Sequence, residues 1–468
     1  MRRAVPGRRV VPAGGFRGGG CGAGAAYHRP GPGGGIAAAV STDTIFAAIT
    51  GRGGAVTVVR LSGASALPIV AAMVGRLPEP RRASLRDLWD VQGQLLDHAL
   101  VTVFAAPHSY TGEDCVELAL HGGRAVLAAV SAALVVAGAR PAEAGEFSRR
   151  AFLNGRMDLL QAEAIADLVA AETEAQRRLA VEGADALHMA CAAWREALRL
   201  MMAQQEALID FPDEDLPPEV EARLLADIKR LHAEMQAVLE ASPRAERLRE
   251  GLEFVILGSP NAGKSTLLNA LAGEDVAIVS DIPGTTRDAI GVRVDLGGVP
   301  VHITDTAGLR ETDDVVEAEG VRRAKLRGET ADLVIAVAGA DAPVFAHAPK
   351  NVEVLYVITK SDLVDLTPLG FIHVSAKTGA GMGKLVAQLT EIAVKLTDTR
   401  GAAALARPRQ IACVKDTAEA LRFALEAEAP ELRGEELRIA ASALGRLVGT
   451  IGVEEILDAV FSGFCIGK

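Results

Sequence analysis

The sequence predicts a multidomain protein that combines α/β with all-α parts, in which an α/β domain built on a phosphate-binding loop interrupts a helical domain. Three observations predict this fold class. Short apolar runs alternate with turns over residues 43–120, as in an α/β domain. Apolar residues recur at helical spacing over residues 151–242 and again from residue 407 onward. Between these two regions lies a strand–glycine loop–helix pattern, which indicates an insertion.

We predict five segments on this basis. They are an extension at 1–40, an N-terminal α/β domain at 41–155, the first helical part at 156–250, the inserted α/β domain at 251–398, and the second helical part at 399–468. The clearest helical stripe lies within 220–239 and follows Pro217-Pro218, a usual helix start signal. Composition changes at 244–251 and 398–406, where we expect short linkers.

The extension differs in kind from the rest of the chain. Residues 1–40 contain six arginines, no acidic residue and dense glycine and proline, without an apolar signal-peptide core. We expect disorder there, and we favour a start assigned too far upstream. A mitochondrial presequence is the alternative, although the amphipathicity of such a segment is missing. Without this segment the net charge changes from −11 to −17, with 43 basic against 60 acidic side chains. So acidic a body argues against binding RNA by bulk electrostatics.

Membrane and secreted classes are disfavoured. No run reaches the roughly 18 apolar residues of a membrane span, and the nearest, 125–139, carries Ser131 and predicts a packed helix. The five cysteines show no C-x-x-C spacing and no zinc-type histidine partners. We therefore expect a soluble protein in the reducing cytoplasm.

The phosphate loop is the strongest single motif. Residues Gly258 to Ser265 read G-S-P-N-A-G-K-S between a strand-like and a helix-like run. Backbone N–H groups at such a helix start bind a β-phosphate, the lysine bridges the β- and γ-phosphates, and Ser265 offers a hydroxyl to Mg²⁺. The predicted nucleotide contacts are Asn261, Ala262, Gly263, Lys264, Ser265 and Thr266.

Further motifs follow in the order of a guanine-nucleotide domain. Asp305-Thr306-Ala307-Gly308 ends a strand, so the carboxylate approaches Mg²⁺ through water while the Gly308 N–H faces the γ-phosphate. In Thr359-Lys360-Ser361-Asp362 the final carboxylate can accept both N–H groups on the Watson–Crick edge of guanine, which adenine lacks. Ser375-Ala376-Lys377 fits the loop beneath the base. The ordered set predicts GTP.

Two details complete the predicted nucleotide site. The polar loop Ser280, Asp281, Ile282, Pro283, Gly284, Thr285 and Thr286 lies between the first two motifs, and Thr286 is the candidate for a second hydroxyl on Mg²⁺. Thr359 stands where asparagine is usual. Its shorter side chain predicts loss of some tethering to the phosphate loop, with lower nucleotide affinity and unchanged base specificity.

The hydrolytic group is not evident from the motifs. Leu309 occupies the position at which Ras-type GTPases place a water-orienting glutamine. Asn261 could hold a monovalent cation against the phosphates, covered by carbonyls of residues 280–285. Five downstream carboxylates could position water: Glu311, Asp313, Asp314, Glu317 and Glu319. Spacing does not separate them, and a solvated acidic helix face is the alternative.

Beyond these motifs, the chain from Asp43 to Lys468 resembles the bacterial tRNA uridine-modifying GTPase family MnmE (TrmE). Four stretches carry the resemblance. They are D-T-I-F at Asp43 with G-R-G-G at Gly51, S-Y-T-G-E-D at Ser109 with H-G-G at His121, G-E-F-S at Gly145 through A-F-L-N at Ala151 to Q-A-E-A-I at Gln161, and the terminal F-C-I-G-K at Phe464. Ribosome-assembly GTPases share the nucleotide motifs and lack these four.

The resemblance implies a catalytic apparatus. Asn261, Ser280, Ile282 and Thr285 would coordinate K⁺, and Glu317 aligns with the family's water-positioning glutamate. The family's GTP hydrolysis is K⁺-stimulated and requires the GTPase domains of a homodimer to meet. The flavoprotein MnmG is the implied partner, and it binds the same tRNA.

A second ligand is also implied. The family's N-terminal domain has a tetrahydrofolate-binding fold and takes 5-formyl- or methylene-tetrahydrofolate as one-carbon donor, which assigns Arg60, Glu117, Arg156 and Lys468 to that site. Without the resemblance, Arg60 and Glu117 would be ordinary strand residues. Cys465 is either a small buried hydrophobe or, by resemblance, a redox or acid–base participant near the folate.

Two classes of function remain open on the sequence. The favoured one is a dimeric, K⁺-dependent GTPase that, with MnmG, adds an aminomethyl-type group to C5 of the wobble uridine of tRNA. The other is a ribosome-assembly or signalling switch, for which a basic RNA-binding appendage would be expected instead of an acidic body.

Overall fold

A computed structural model describes residues 43–51, 53–210, 218–274, 278, 291–305, 330–345, 349–364, 370–399, 404–450, 454–464 and 467. The predicted fold class is confirmed: mixed α/β domains are combined with long helices. No helix in these ranges is both long and apolar enough to cross a membrane.

The N-terminal α/β domain is built on a six-stranded sheet in the order β3-β4-β5-β2-β1-β6. The strands are β1 (Ile45–Ala48), β2 (Val56–Ser62), β3 (Ser84–Trp89), β4 (Leu95–Phe104), β5 (Cys115–His121) and β6 (Arg140–Pro141). Alternation along β2, β4 and β5 buries one face under helices α1 (Ala66–Val74) and α2 (Arg124–Val136). Helix α2 confirms the packed helix predicted within 125–139.

The helical part begins beside this sheet. Helices α3 (Glu146–Leu153), α4 (Leu159–Ala170) and α5 (Glu174–Arg178) lead into a π-helical turn, Leu179–Gly183. The remaining helices are α6 (Ala184–Asp210), α7 (Pro218–Glu250), α10 (Pro408–Glu426), α11 (Pro430–Val448) and α12 (Glu454–Ser462). Helices α6, α7, α10 and α11 bury a common apolar core, so segments far apart in sequence form one bundle.

The inserted α/β domain carries a second six-stranded sheet, in the order β12-β11-β10-β7-β9-β8. Its strands are β7 (Leu252–Gly258), β8 (Gly291–Leu296), β9 (Val299–Asp305), β10 (Leu333–Gly339), β11 (Glu353–Thr359) and β12 (Ile372–His373). Helices α8 (Lys264–Ala272) and α9 (Met382–Thr397) pack on the sheet. Strands β7, β9, β10, β11 and β12 run parallel, so the carboxyl ends of β7, β9, β10 and β11 meet at one edge.

The linker predicted at 244–251 is wrong. Helix α7 continues through Pro243 to Glu250, and Gly251 alone separates it from β7. Pro243 has no N–H for the carbonyl of Leu239, but the hydroxyl of Ser242 donates to that oxygen at 2.7 Å. The helix therefore tolerates the proline and enters the inserted domain directly.

Helix α5 docks the helical part onto the β8–β9 hairpin. The N–H of Ala175 donates to the carbonyl of Gly298 at 3.2 Å, and Arg293 on β8 pairs with Glu172 at 2.8 Å. Leu179, the first residue of the π-helical turn, packs against the core of the inserted domain. Because β9 ends at Asp305, this contact lies one strand length from the predicted nucleotide site.

Candidate functional site

The phosphate loop connects β7 to α8 in the predicted strand–loop–helix context. Asn261 and Gly263 adopt left-handed backbone conformations, with φ of +64° and +84°. Asparagine tolerates this region better than most side chains, and glycine carries no penalty there. A Cβ at Gly258 would lie 2.4 Å from the carbonyl oxygen of Val337, so only glycine allows β7 to pass β10 at this point.

Lys264 lies folded over the loop. Its side chain is only 6% exposed, and Nζ donates to the carbonyls of Gly258 and Ser259 at 2.9 Å each. The ammonium is thereby held at the amino-terminal end of α8, where the backbone N–H groups and helix dipole also favour an anion. Backbone and lysine together form a cradle for a polyphosphate.

Ser265 and Asp305 meet at the edge of this cradle. The Ser265 hydroxyl donates to Oδ2 of Asp305 at 2.6 Å, and Asp305 is only 1% exposed at the end of β9. A hydroxyl beside a carboxylate, next to a phosphate cradle, suits Mg²⁺, which prefers oxygen ligands and keeps phosphate oxygens and waters in its shell. The residues present therefore fit the metal.

Thr359 contacts the phosphate loop. Its side chain is 3% exposed, and its hydroxyl donates a short hydrogen bond to the carbonyl of Ala262 in the phosphate loop. A tether to the phosphate loop is therefore present, because Gly263 has no side chain and lets β11 approach closely, and the lower nucleotide affinity stays a prediction. A Cβ on Gly263 would lie 3.2 Å from the Thr359 hydroxyl.

Asp362 is oriented by the loop after β12. The Ser375 hydroxyl donates to Oδ1 of Asp362 at 2.6 Å, and Ser375 itself is buried. This hydrogen bond, the backbone N–H of Asp362 and, to a smaller extent, the charge of Lys377 lower the pKa of the carboxyl. The group is therefore an ionised acceptor at neutral pH, as recognition of two base N–H donors requires.

Lys360 has a partner that sequence reasoning missed. It follows Thr359 with a left-handed φ of +56°, and Nζ contacts Oδ2 of Asp341 at 2.7 Å. Asp341 comes two residues after β10, and the carboxyl ends of β10 and β11 are neighbours. Only the strand order could have identified this pair in advance. The contact with Asp341 fixes the side chain of Lys360, two residues before the base-reading Asp362.

Several predicted residues lie outside the described ranges, and their geometry stays a prediction. They are Ser280, Asp281, Ile282, Pro283, Gly284, Thr285, Thr286, Thr306, Ala307, Gly308, Glu317, Cys465 and Lys468. Thr266, Ser361, Ala376 and Lys377 lie in the described part, on α8, after β11 and after β12. The structure therefore brings together the phosphate loop, Asp305 and the two base-side motifs.

A second cluster lies on the sheet of the N-terminal domain. Nε and Nη2 of Arg60 donate to Oε1 of Glu117 at 3.0 and 2.8 Å, across the β2–β5 pair. The Arg60 guanidinium also lies over the rings of Tyr110 and Phe147, 4.7 and 5.7 Å from their centroids. Cation–π contacts of this kind hold a flat cation in one orientation. Tyr110 and Phe147 belong to the S-Y-T-G-E-D and G-E-F-S motifs, and the sequence alone assigns neither of them a role.

Arg156 approaches the same region from the loop side. A Cβ at Gly112 would lie 3.1 Å from Cγ of Arg156, so glycine makes room for the arginine stem beside the loop that carries Tyr110. Arg156 itself is exposed. The described contacts join Arg60 to Glu117 and place Arg156 on the neighbouring loop.

The carboxyl-terminal segment reaches this sheet. Phe461 and Phe464 pack in one apolar cluster with Phe152 of α3, with the rings tilted relative to one another. A Cβ at Gly467, which has φ of +101°, would lie 2.5 Å from the carbonyl of Ala48 at the end of β1. Glycine is thus required for the tail to pass β1. Ala47, the residue before Ala48 on β1, is the register partner of Arg60 on β2.

Comparison with known proteins identifies the family. The family model described as the MnmE helical domain matches residues 159–465, and the model of the GTP-binding protein TrmE N-terminus matches residues 44–156. The tRNA modification GTPase MnmE of Acidiphilium cryptum is 59% identical over 91% of this chain and 99% of its own length. The protein of that name from Gluconacetobacter diazotrophicus is 53% identical over 91% of this chain and 98% of its own length.

Among solved structures, Aquifex aeolicus Era bound to GDP·AlF4⁻ is 26% identical, covering 38% of this chain and 69% of Era, with a TM-score of 0.25. The G domain of the T. maritima FeoB iron transporter is 24% identical over 31% of this chain and 99% of that domain, with a TM-score of 0.23. At these scores neither likeness bears on the assignment, which rests on the sequence relatives and the two family models. The chain belongs to the MnmE family of tRNA modification GTPases.

Proposed function

We propose that this chain is a K⁺-stimulated, homodimeric GTPase that acts with MnmG to add an aminomethyl- or carboxymethylaminomethyl-type group at C5 of the wobble uridine of certain tRNAs. As a member of its family it is a GTP-hydrolysing enzyme involved in tRNA modification. One observation carries the proposal: the phosphate cradle, the Ser265–Asp305 pair and the base-reading Asp362 lie on adjoining loops of one sheet edge.

Guanine recognition is assigned to Asp362. An ionised carboxylate can accept from N1–H and the 2-amino group, and a site built for those bonds disfavours bases that lack them. Asp362→Asn replaces an acceptor pair by one acceptor and one donor. Affinity should shift from guanosine toward xanthosine nucleotides in competition binding, whereas Asp341→Asn, which leaves the base edge untouched, should keep the GTP preference. Unchanged GTP preference in Asp362→Asn contradicts the assignment.

Hydrolysis is assigned to a K⁺ held by Asn261, Ser280, Ile282 and Thr285, and to Glu317. A monovalent cation there would supply positive charge against the phosphates as they separate, which leaves the positioning of water to Glu317. The position of Asn261 supports this role, since it lies inside the phosphate loop, where its backbone has a left-handed φ of +64°.

Two variants test that assignment in GTP hydrolysis assays at equal KCl and NaCl. Asn261→Gly keeps the backbone conformation and removes the amide, so the K⁺ stimulation should fall at least about tenfold with GDP affinity retained. Glu317→Ala should lower the rate in KCl by about 100-fold or more. Glu311→Ala is the matched control. A Glu317→Ala rate equal to the parent's in KCl contradicts the role of that residue.

The one-carbon site is assigned to Arg60, Glu117, Arg156 and Lys468. The fixed guanidinium of Arg60 and the exposed one of Arg156 supply cations for a folate carboxylate, and aromatic rings beside Arg60 suit a flat pterin. When bound, the folate supplies the carbon that is transferred, and these side chains orient it. Arg60→Gln should weaken 5-formyltetrahydrofolate binding in calorimetry, whereas Arg124→Gln, at the start of α2 on the opposite face, should not.

Homodimer formation is assigned to the N-terminal sheet. Its outer face at the β3–β4 end bears Leu85 and Leu100, 63% and 47% exposed and directly opposite each other in the register. A paired apolar patch of this kind marks a contact surface. Leu100→Glu should convert a dimer to a monomer in light-scattering chromatography. Leu200→Glu, at a 48% exposed position on α6, should leave the dimer intact. A parent chain that is monomeric at all concentrations contradicts this part.

The remaining assignments complete the proposal. The five segments predicted at 1–40, 41–155, 156–250, 251–398 and 399–468 are proposed as the domain organisation, with the inserted GTPase domain entered directly from α7. Because the chain is acidic overall, tRNA would be bound mainly through MnmG. A cytoplasmic location follows from that substrate. GTP hydrolysis would drive domain movement, and the carbon chemistry would occur at the folate site.

A further inference from the structure

A cavity of about 280 Å³ lies where the chain enters and leaves the GTPase domain. Arg249 lines it from the last turn of α7, just before β7, and Arg407 lines it from the segment that returns to α10. Helix α4 closes one side, and the carboxyl-terminal Val460–Phe464 segment closes another. Four segments that are separate in sequence thus meet around one space.

The polar lining of this cavity contains more cationic than anionic side chains. Three arginines, Arg249, Arg407 and Arg409, face a single carboxylate among its lining residues, Glu163. Glu163 is fully engaged, since it accepts from Nε and Nη2 of Arg409 at 2.8 and 2.9 Å. Asp167, next to the cavity on α4, pairs with Arg407 at 2.6 Å.

Two guanidinium nitrogens keep hydrogen-bonding capacity. Nε and Nη2 of Arg407 are used by Asp167, and Nε and Nη2 of Arg249 by the Ala406 carbonyl and Glu250. Within the described ranges, Nη1 of Arg407 makes no hydrogen bond, and Nη1 of Arg249 has only a carboxylate oxygen of Asp167 at 4.0 Å. Each of these nitrogens carries two N–H donors. Their natural acceptor is an anionic oxygen.

The opposite wall is apolar. Ala166, Pro408, Val460 and Phe464 line it. We propose that this cavity binds a small organic anion, with its phosphate or carboxylate head on Arg249 and Arg407 and its apolar part against Val460 and Phe464. Such a ligand would hold together both crossings between the helical bundle and the GTPase domain. The inference does not depend on the K⁺, folate or MnmG assignments.

The test uses phenyl phosphate as the probe, titrated by calorimetry into the full chain saturated with Mg²⁺ and GDP, so that the phosphate loop is occupied. Saturable binding of one probe per chain is expected. Benzoate should also bind, inorganic phosphate should bind at least tenfold more weakly because it lacks the apolar part, and benzyl alcohol should not bind because it lacks the charge.

Two variants locate the probe. Arg407→Gln removes the proposed head-group contact and should weaken phenyl phosphate binding at least tenfold. Gly463→Leu narrows the cavity without removing a charge, since a Cβ at Gly463 would meet no atom within 4 Å, and it should have a similar effect. Gly383→Leu, at an equally open glycine, and Arg438→Gln, on an exposed face of α11, are the matched controls.

Three results would overturn the proposal. They are no saturable binding to the parent chain, equal binding to the parent and to Gly463→Leu, or equal loss in Gly383→Leu and Gly463→Leu. Circular dichroism of each variant separates loss of the site from loss of the fold. Gly463→Leu keeps the test decisive if Arg407→Gln unfolds.

Discussion

Replacing Thr359 by valine should loosen the phosphate loop. The substitution keeps the shape of the side chain and removes a hydroxyl that donates to the carbonyl of Ala262. Because Thr359 is 3% exposed, water cannot readily replace the lost donor. A buried acceptor left without a partner costs about 1–3 kcal/mol. Part of that cost should appear as weaker nucleotide binding, since the loop must hold the same carbonyl in place around the phosphates.

The expected loss of affinity follows from that range. If the whole penalty opposes the bound conformation, GDP and GTP should bind about 5- to 150-fold more weakly, at about 1.4 kcal/mol per factor of ten. Fluorescent-nucleotide titrations measure it directly. Thr359→Ser retains the hydroxyl and should stay within about threefold of the parent. Base preference should not change in either variant, because Asp362 and Ser375 keep their hydrogen bond.

Thr359→Val that binds GDP with the parent's affinity, while Thr359→Ser does the same, would show that the contact with Ala262 does not support the loop. If Thr359→Asn bound GDP more tightly than the parent, asparagine would provide a tether that threonine does not.

Three further predictions concern stability and reactivity. Arg150 is 5% exposed and pairs with Asp43, Glu113 and Glu146. Arg150→Met should therefore lower the free energy of unfolding by about 3–5 kcal/mol. Arg149→Met, whose partner is 80% exposed, should cost less than about 1 kcal/mol in urea denaturation, and equal costs would contradict the burial argument. Burial would raise the pKa of Glu146, but hydrogen bonds from Arg140, the Glu143 N–H and Arg150 lower it below 4.5. Its contribution is therefore present above pH 4.5 and lost as pH falls through the lowered value, and Glu146→Gln should flatten the acid limb of the stability curve. Burial raises the pKa of the Cys191 thiol to about 12, so a thiol reagent at pH 8 should label Cys191 only after denaturation, and rapid native labelling would contradict that burial.

Motifs of adjacent residues were sufficient to predict the phosphate loop. The glycine positions, Lys264 and Ser265 belong to one strand–loop–helix unit, so their arrangement follows from a few adjacent residues. The contact of Thr359 with Ala262 could not be inferred in this way, because it joins residues 97 apart through the strand order. The same limit applies to Lys360 and Asp341.

The failed linker prediction has a different cause. The change of composition near residue 244 suggested a linker there, whereas α7 continues through Pro243 because the Ser242 hydroxyl satisfies the carbonyl that proline leaves without a donor. In the N-terminal domain the alternating strands were readable, but the contacts of Arg60 with Tyr110 and Phe147 depend on how a loop and α3 pack on the sheet. No pattern of adjacent residues in the sequence predicts such packing.

Nucleoside mass spectrometry of bulk tRNA from cells with and without this gene tests the central claim most directly. Deletion should remove the aminomethyl-type modifications at C5 of the wobble uridine. The parent gene should restore them, and Asp305→Ala, which removes the carboxylate beside Ser265, should not. Unchanged wobble-uridine nucleosides on deletion would contradict a role in tRNA modification and would direct attention to ribosome assembly.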